Sequence, residues 1–207
     1  MTALSGPPKA RFPIVAALSA LAALALDQAT KIHCQTSFLA AQAAAASSRV
    51  PSSLLFALGV PPAQRHLDDA GARAASPCWF AVELTHVGNR GITFGMLETA
   101  APAVPVAAFY ATTLIGMVVS AVVLLNARRG DWLARVGAVL VLTGVVANLL
   151  DRLRIGYVVD WLVVAWRMSA WQVELPAFNF GDAYIVAGVT LVGAALIAHR
   201  LAPRESR

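Results

Sequence analysis

Four long apolar runs separated by polar stretches dominate the chain: Phe12 to about Ile32, Val104 to Leu125, Trp132 to about Asp151, and about Phe180 to Ala198. Each approaches the roughly 20 residues that an α-helix needs to cross the hydrocarbon core of a bilayer. The apolar positions are continuous rather than alternating, so spanning helices are predicted in preference to barrel strands. Three runs are clean over only about 14 to 18 residues and reach spanning length by taking in Asp27, Asn148 with Asp151, or Asp182.

The short polar flanks orient the spans. Lys9 and Arg11 precede the first, Arg128, Arg129 and Arg135 lie at the turn between the second and third, and Arg200, Arg204 and Arg207 follow the fourth. Because basic flanks are retained on the inner side, both termini are expected in the cytoplasm and the connections 33–103 and 152–179 outside. The first run after its basic flank also reads as a signal-peptide core, with a small-residue site near Ala29, and that reading competes with a retained span.

In this topology the outer ends of spans one, three and four bring their polar residues to one depth. A carboxylate inside a span costs about 2.5 to 3.5 kcal/mol at the bilayer centre and less near the interface, so several at one level point to function. The alternative is that each Asp merely ends its helix among headgroups beside an arginine. Helical spacing argues against that in two places. Asn148, Asp151 and Arg152 stand at i, i+3 and i+4 and can share one face. Asn179 and Asp182 are three apart at a helix start, where free backbone N–H groups favour a carboxylate.

Between these clusters, IGYVVDWLVV carries Asp160 on what its β-branched and aromatic content predicts to be an extended, semi-buried segment, one that as an outer connection is expected to be mobile. The tryptophans of AWRMSAWQVELP suit a membrane interface. Residues 40–77 form a compositional shift within an otherwise single 1–207 membrane domain, read as an extracytoplasmic insertion, helical around 53–58 and otherwise loop. Cys34 and Cys78 bracket it on the oxidising side, leaving a disulfide and two free thiols both open.

Composition agrees with lipid as the solvent: 58% of residues are hydrophobic and 13% charged, with a mean hydropathy of +0.68. The formal charge of +5 lacks the basic run interleaved with aromatics that nucleic-acid binding needs, and the topology accounts for it. Two cysteines without zinc-type spacing give no reason to expect a metal or other cofactor.

Five ordered blocks make the chain similar to the lipoprotein signal peptidase (signal peptidase II) family. DQATK at 27–31 resembles that family's D-Q-x-S/T-K, NRGITFG at 89–95 its N-x-G-A-x-F-S, and GVVANLLDR at 144–152 its G-x-x-N-x-x-D-R. YVVDWL resembles its V-V-D-F segment and FNFGD at 178–182 its F-N-x-A-D, with departures at Thr93, Gly95, Trp161 and Gly181. The resemblance implies an all-α membrane fold of four transmembrane helices with a small extracytoplasmic β element, and the inserted outer loop at 40–77 is a further departure from the family's pattern. It also implies a bacterial inner-membrane aspartic peptidase, active at the outer face, that removes the signal peptide of diacylglyceryl-modified prolipoproteins before the lipidated Cys.

Carried over by position, the catalytic pair is Asp160 and Asp182. Asn148, Asp151 and Arg152 would support the site, Asn179 would orient the second aspartate, and Asp27 with Lys31 would serve structure or substrate binding. Asn89 and Gly91 belong to the second block. Spacing alone would also admit Asp151 as the second acid; Arg152 directly after it is expected to hold it ionised, which favours Asp160.

Other chemistries are poorly supported. No GxSxG elbow or HExxH helix occurs, and the histidines at 33, 66, 86 and 199 are scattered; His86, near the site, is expected to be solvated or structural. A small proton- or ion-coupled carrier would spread its acids across depth, whereas these gather at one boundary. An enzyme of lipid-linked phosphates would need more Arg and Lys than Arg152, Arg154 and Lys31.

Overall fold

A computed structural model describes residues 11–45, 53–58, 78–91, 101, 103–128, 130–168 and 171–201. Four helices carry the apolar runs: α1 (Arg11–Ala45), α2 (Ala103–Asn126), α3 (Trp132–Ile155) and α4 (Phe180–Leu201). All four are long and apolar enough to span a bilayer. Their outward faces are apolar, with Leu18, Leu21, Leu114, Val122, Leu196 and Ile197 among the exposed side chains, as expected where the solvent is lipid.

The most buried of the four is α3, which packs against α1, α2 and α4. Its close approach to α4 depends on small residues. A Cβ on Gly137 would meet the Gly188 carbonyl oxygen at 2.7 Å, and one on Gly144 would clash with the Gly181 carbonyl oxygen. Apolar burial contributes little between helices in lipid, so such backbone proximity and its van der Waals contacts bind the pair. Gly144→Ala is therefore expected to lower stability by about 1 to 3 kcal/mol, read as a fall in unfolding temperature in detergent.

Strands β1 (Ser53–Leu58), β2 (Cys78–Asn89), β3 (Val158–Met168) and β4 (Trp171–Glu174) form one antiparallel sheet in that order. Two expectations are corrected here. Residues 53–58 are a strand paired with β2, because that partner supplies hydrogen bonds that a short apolar run cannot find alone. And α1 continues beyond Ile32 through the alanine-rich 40–45, in keeping with alanine's helix propensity.

At 35 residues, α1 is about 50 Å long, well beyond a span. The sheet docks on this projecting part. Cys34 and Phe38 of α1 pack with Trp161 of β3, flanked by Leu84, Leu162 and Phe180. Neither cysteine is bonded: Cys34 is buried in this cluster and Cys78 is exposed, so the disulfide reading gives way to two free thiols.

Candidate active site

The chain reverses at the end of α3 through Gly156, whose φ of 81° is the left-handed conformation that a side chain disfavours, and whose N–H returns to the Arg152 carbonyl. This turn feeds β3 back over the helix end, where the Val159 N–H donates to Asp151 at 3.2 Å. Asp160 follows on a strand between β2 and β4 and is 1% exposed. The semi-buried, mobile outer segment expected for it is thus a fully buried part of β3, paired with β2 on one side and met on the other by Phe178, which bridges to Leu162.

On β2 a bulge between Leu84 and Val87 shifts the register, so that Val87 faces Asp160 and Asn89 lies diagonal to it on the same face. Asn89 donates from Nδ2 to Asp160 at 2.9 Å and accepts the Gly91 N–H at 2.8 Å. Arg152 donates to the Gly91 carbonyl and lies over the Phe109 ring, 4.5 Å from its centroid. Of the same sequence block, Ile92, Thr93, Phe94 and Gly95 lie outside the described residues.

Backbone bonds between Phe178 and both Trp161 and Leu162 bring the start of α4 alongside β3. There Asn179 and Asp182 form a reciprocal cap: Asn179 accepts the Asp182 N–H at 3.0 Å, and Asp182 accepts the Asn179 N–H at 3.3 Å. The Asn179 amide also donates to Asp160 at 2.6 Å, so one residue links both aspartates. Asn148 donates to the other Asp182 oxygen at 2.9 Å.

Beneath this pair lies Lys31, fully buried. Its ammonium meets Asp27 at 2.8 Å, Asp151 at 3.1 Å and the Asn148 carbonyl oxygen at 2.8 Å, which uses all three donors. Asp27 in turn accepts the Gly181 N–H at 2.8 Å, fastening α1 to the start of α4. Asp151 is paired with Lys31 and with Arg154 at 3.4 Å, whereas Arg152 turns to Gly91. The expectation that Arg152 holds Asp151 ionised is corrected accordingly. Residues 148, 151 and 152 do share a face, but Lys31 rather than Arg152 joins the first two.

The four buried acids thus divide into two kinds. Asp27 and Asp151 share a cation, while Asp160 and Asp182 receive only amide and backbone N–H donors and have no ion pair among the described residues. Burial, and next the charge of Asp182, push Asp160 up to about 7 against the donors Asn89 and Asn179. Every proposed site residue is present in this network, with Gly91 joining through its backbone.

Sequence reasoning missed Gln28, whose amide reaches Asp27, the Ala147 carbonyl and Asp151, each at 3.2 Å; its place inside DQATK was the available signal. His86 is buried rather than solvated, edge-on to Tyr157, and burial lowers its basicity. Among the described residues no cluster of His, Cys, Asp or Glu is arranged to hold a metal ion.

A cavity of about 450 Å³ opens from the site between α2, α3 and α4. Asn89, Asn148 and Asp182 line its polar end, and Val119, Val141, Val189 and Leu196 line its apolar remainder. Hydropathy patterns could not name this lining, which depends on how three helices meet.

The model of the family described as signal peptidase (SPase) II matches residues 19–198. The chain belongs to the signal peptidase II family. It is therefore a peptidase with four membrane spans, and the carrier reading falls away. Among the chain's relatives, the lipoprotein signal peptidase of Geobacter metallireducens is 36% identical over 114 residues, 55% of this chain and 67% of that protein. That of Enterococcus faecalis is 33% identical over 127 residues, 61% and 71% of the two chains. A solved bacterial membrane enzyme shares the fold with a TM-score of 0.63 at 19% identity, over 95% of each chain.

Proposed function

We propose that this peptidase is an aspartic endopeptidase of the bacterial inner membrane that removes the signal peptide from diacylglyceryl-modified prolipoproteins, cutting before the lipidated Cys. The observation that carries the reading is the pair Asp160 and Asp182, linked by Asn179 and free of ion pairs among the described residues, at the mouth of an apolar cavity between spans. Two carboxylates in a low-dielectric site cannot both ionise cheaply and are expected to share one proton.

In the proposed reaction one aspartate takes a proton from water as its oxygen bonds to the scissile carbonyl carbon. The other aspartate gives its proton to the carbonyl oxygen. Collapse of the tetrahedral intermediate breaks the C–N bond and protonates the leaving amine from the dyad. The products are a signal peptide with a new carboxylate and a lipoprotein beginning at its lipidated cysteine. Asn89, Asn148 and Asn179 would orient the two acids, and the cavity would receive the lipid tails. With the aspartates at the outer face, the arginine-bearing turn between α2 and α3 and both termini are assigned to the cytoplasm.

Incubation in detergent with a prolipoprotein before and after diacylglyceryl modification tests this reading. Mass spectrometry is expected to find cleavage only of the modified form, with the lipidated cysteine at the new N-terminus; equal cleavage of both forms would refute it. The pH profile carries a further expectation. A proton held up to about pH 7 by Asp160 is present below that value and lost above it, so kcat/KM should fall about tenfold per unit on the alkaline side.

A further inference from the structure

A second cavity, of about 430 Å³, lies on the opposite face of α3, between it, the first half of α1 and Leu124 of α2. It falls in the size range of roughly 300 to 1,000 Å³ typical of small-ligand sites. Its walls are apolar, with Ala16, Ala20 and Leu24 on one side and Val139, Leu142 and Val146 on the other. At the end remote from the aspartates stands Arg135. Its guanidinium carbon lies 4.4 Å above the Phe12 ring, and its buried Nε has no hydrogen-bond partner among the described residues.

Arg135 is also badly placed for a cation. It lies in the first turn of α3, where the helix dipole is positive, and no acidic residue shares that turn. Asp131, one turn before it, directs its carboxylate to the Arg128 N–H and to His199, each at 3.0 Å, and forms no ion pair with Arg135. An apolar slot therefore ends in a partly desolvated cation that has no ion pair among the described residues, beside a helix N-terminus.

We propose that this groove is a binding site for an anionic phospholipid of the leaflet opposite the active site. One acyl chain lies between α1 and α3, and the phosphate accepts hydrogen bonds from Arg135. A guanidinium suits phosphate oxygens in geometry and charge, and anionic lipid is abundant on the basic side of a membrane protein. The charge also argues against a substrate leader peptide as occupant, because its basic end would lie against Arg135. The lipid would tie α1, which contributes Asp27 and Lys31 to the buried network, to α3 at the other membrane surface.

The test follows the unfolding temperature of the full-length protein in detergent during titration with phosphatidylglycerol, phosphatidylcholine or inorganic phosphate. Saturable stabilisation by phosphatidylglycerol alone is expected, with a half-saturating concentration about tenfold higher in Arg135→Gln. Ala20→Phe, which fills the groove and leaves Arg135 in place, is expected to abolish the effect, so the proposal stays testable if Arg135→Gln folds poorly. Equal stabilisation by phosphatidylcholine, or full stabilisation by inorganic phosphate, would overturn it. Competitive displacement of phosphatidylglycerol by a leader peptide would assign the groove to substrate and overturn it as well.

Discussion

Asp160→Asn and Asp182→Asn are each expected to lower kcat for cleavage of a lipid-modified prolipoprotein by about 10⁴-fold, with substrate affinity and folding retained. The proposed chemistry needs one acid and one base in the same dyad. An amide can do neither. It is nearly isosteric with a carboxyl group; each aspartate accepts N–H donors on both oxygens, so each substitution gives up one of those bonds and keeps the other. Removing a carboxylate that has no cationic partner relieves desolvation rather than adding to it, and the unfolding temperature is expected to hold or rise. Measuring kcat, KM and unfolding temperature together separates loss of chemistry from loss of structure.

Lys31→Met is expected to do the opposite and act first on stability. Its ammonium lies between Asp27 and Asp151 at 0% exposure, and those acids also hold the Gly181 and Val159 N–H groups. Deleting the cation leaves two carboxylates buried together, a loss of about 3 to 5 kcal/mol for a broken buried pair. Thermal or denaturant unfolding of the purified variant would measure it. Because the partners share one site, adding Asp27→Asn to Lys31→Met should cost much less than the sum of the two single changes. Additive costs would mean that Lys31 is held by something other than these acids.

The contrast between these two sets of variants follows from how the site is built, and much of that was legible in the chain. Asp27, Asp151 and Asp182 stood out because apolar runs reached spanning length only by including them. The capping pair Asn179 and Asp182 was visible in its i, i+3 spacing, since both partners lie on one helix start. Lys31 falls four residues after Asp27, so that half of its ion pair is local. Its bonds to Asp151 and Asn148 arise where α1 meets α3, and no local pattern carries them.

The same distinction explains the errors. Residues 53–58 are a short apolar run of ambiguous period, and what makes them a strand is β2, more than 20 residues away in the chain. Asp160 was legible as part of an extended, semi-buried segment, but its complete burial comes from β2, the Phe178–Asn179 segment before α4 and the docking of the sheet on α1. Arg152 follows Asp151 in sequence, yet a helix turns consecutive side chains apart by about 100°. Adjacency therefore pointed to the wrong partner, and Arg154 at i+3 is the one that reaches the carboxylate.

Asp160 and Asp182, not Asp151, are proposed to perform the chemistry. Single-turnover cleavage of a diacylglyceryl-modified prolipoprotein separates the two assignments, comparing the wild type with Asp160→Asn, Asp182→Asn and Asp151→Asn, each with its unfolding temperature. The first two variants are expected to give no detectable product at wild-type stability, and Asp151→Asn to be destabilised with a folded fraction that still cleaves. Cleavage by Asp160→Asn or Asp182→Asn, together with a stable and inactive Asp151→Asn, would contradict the assignment to Asp160 and Asp182.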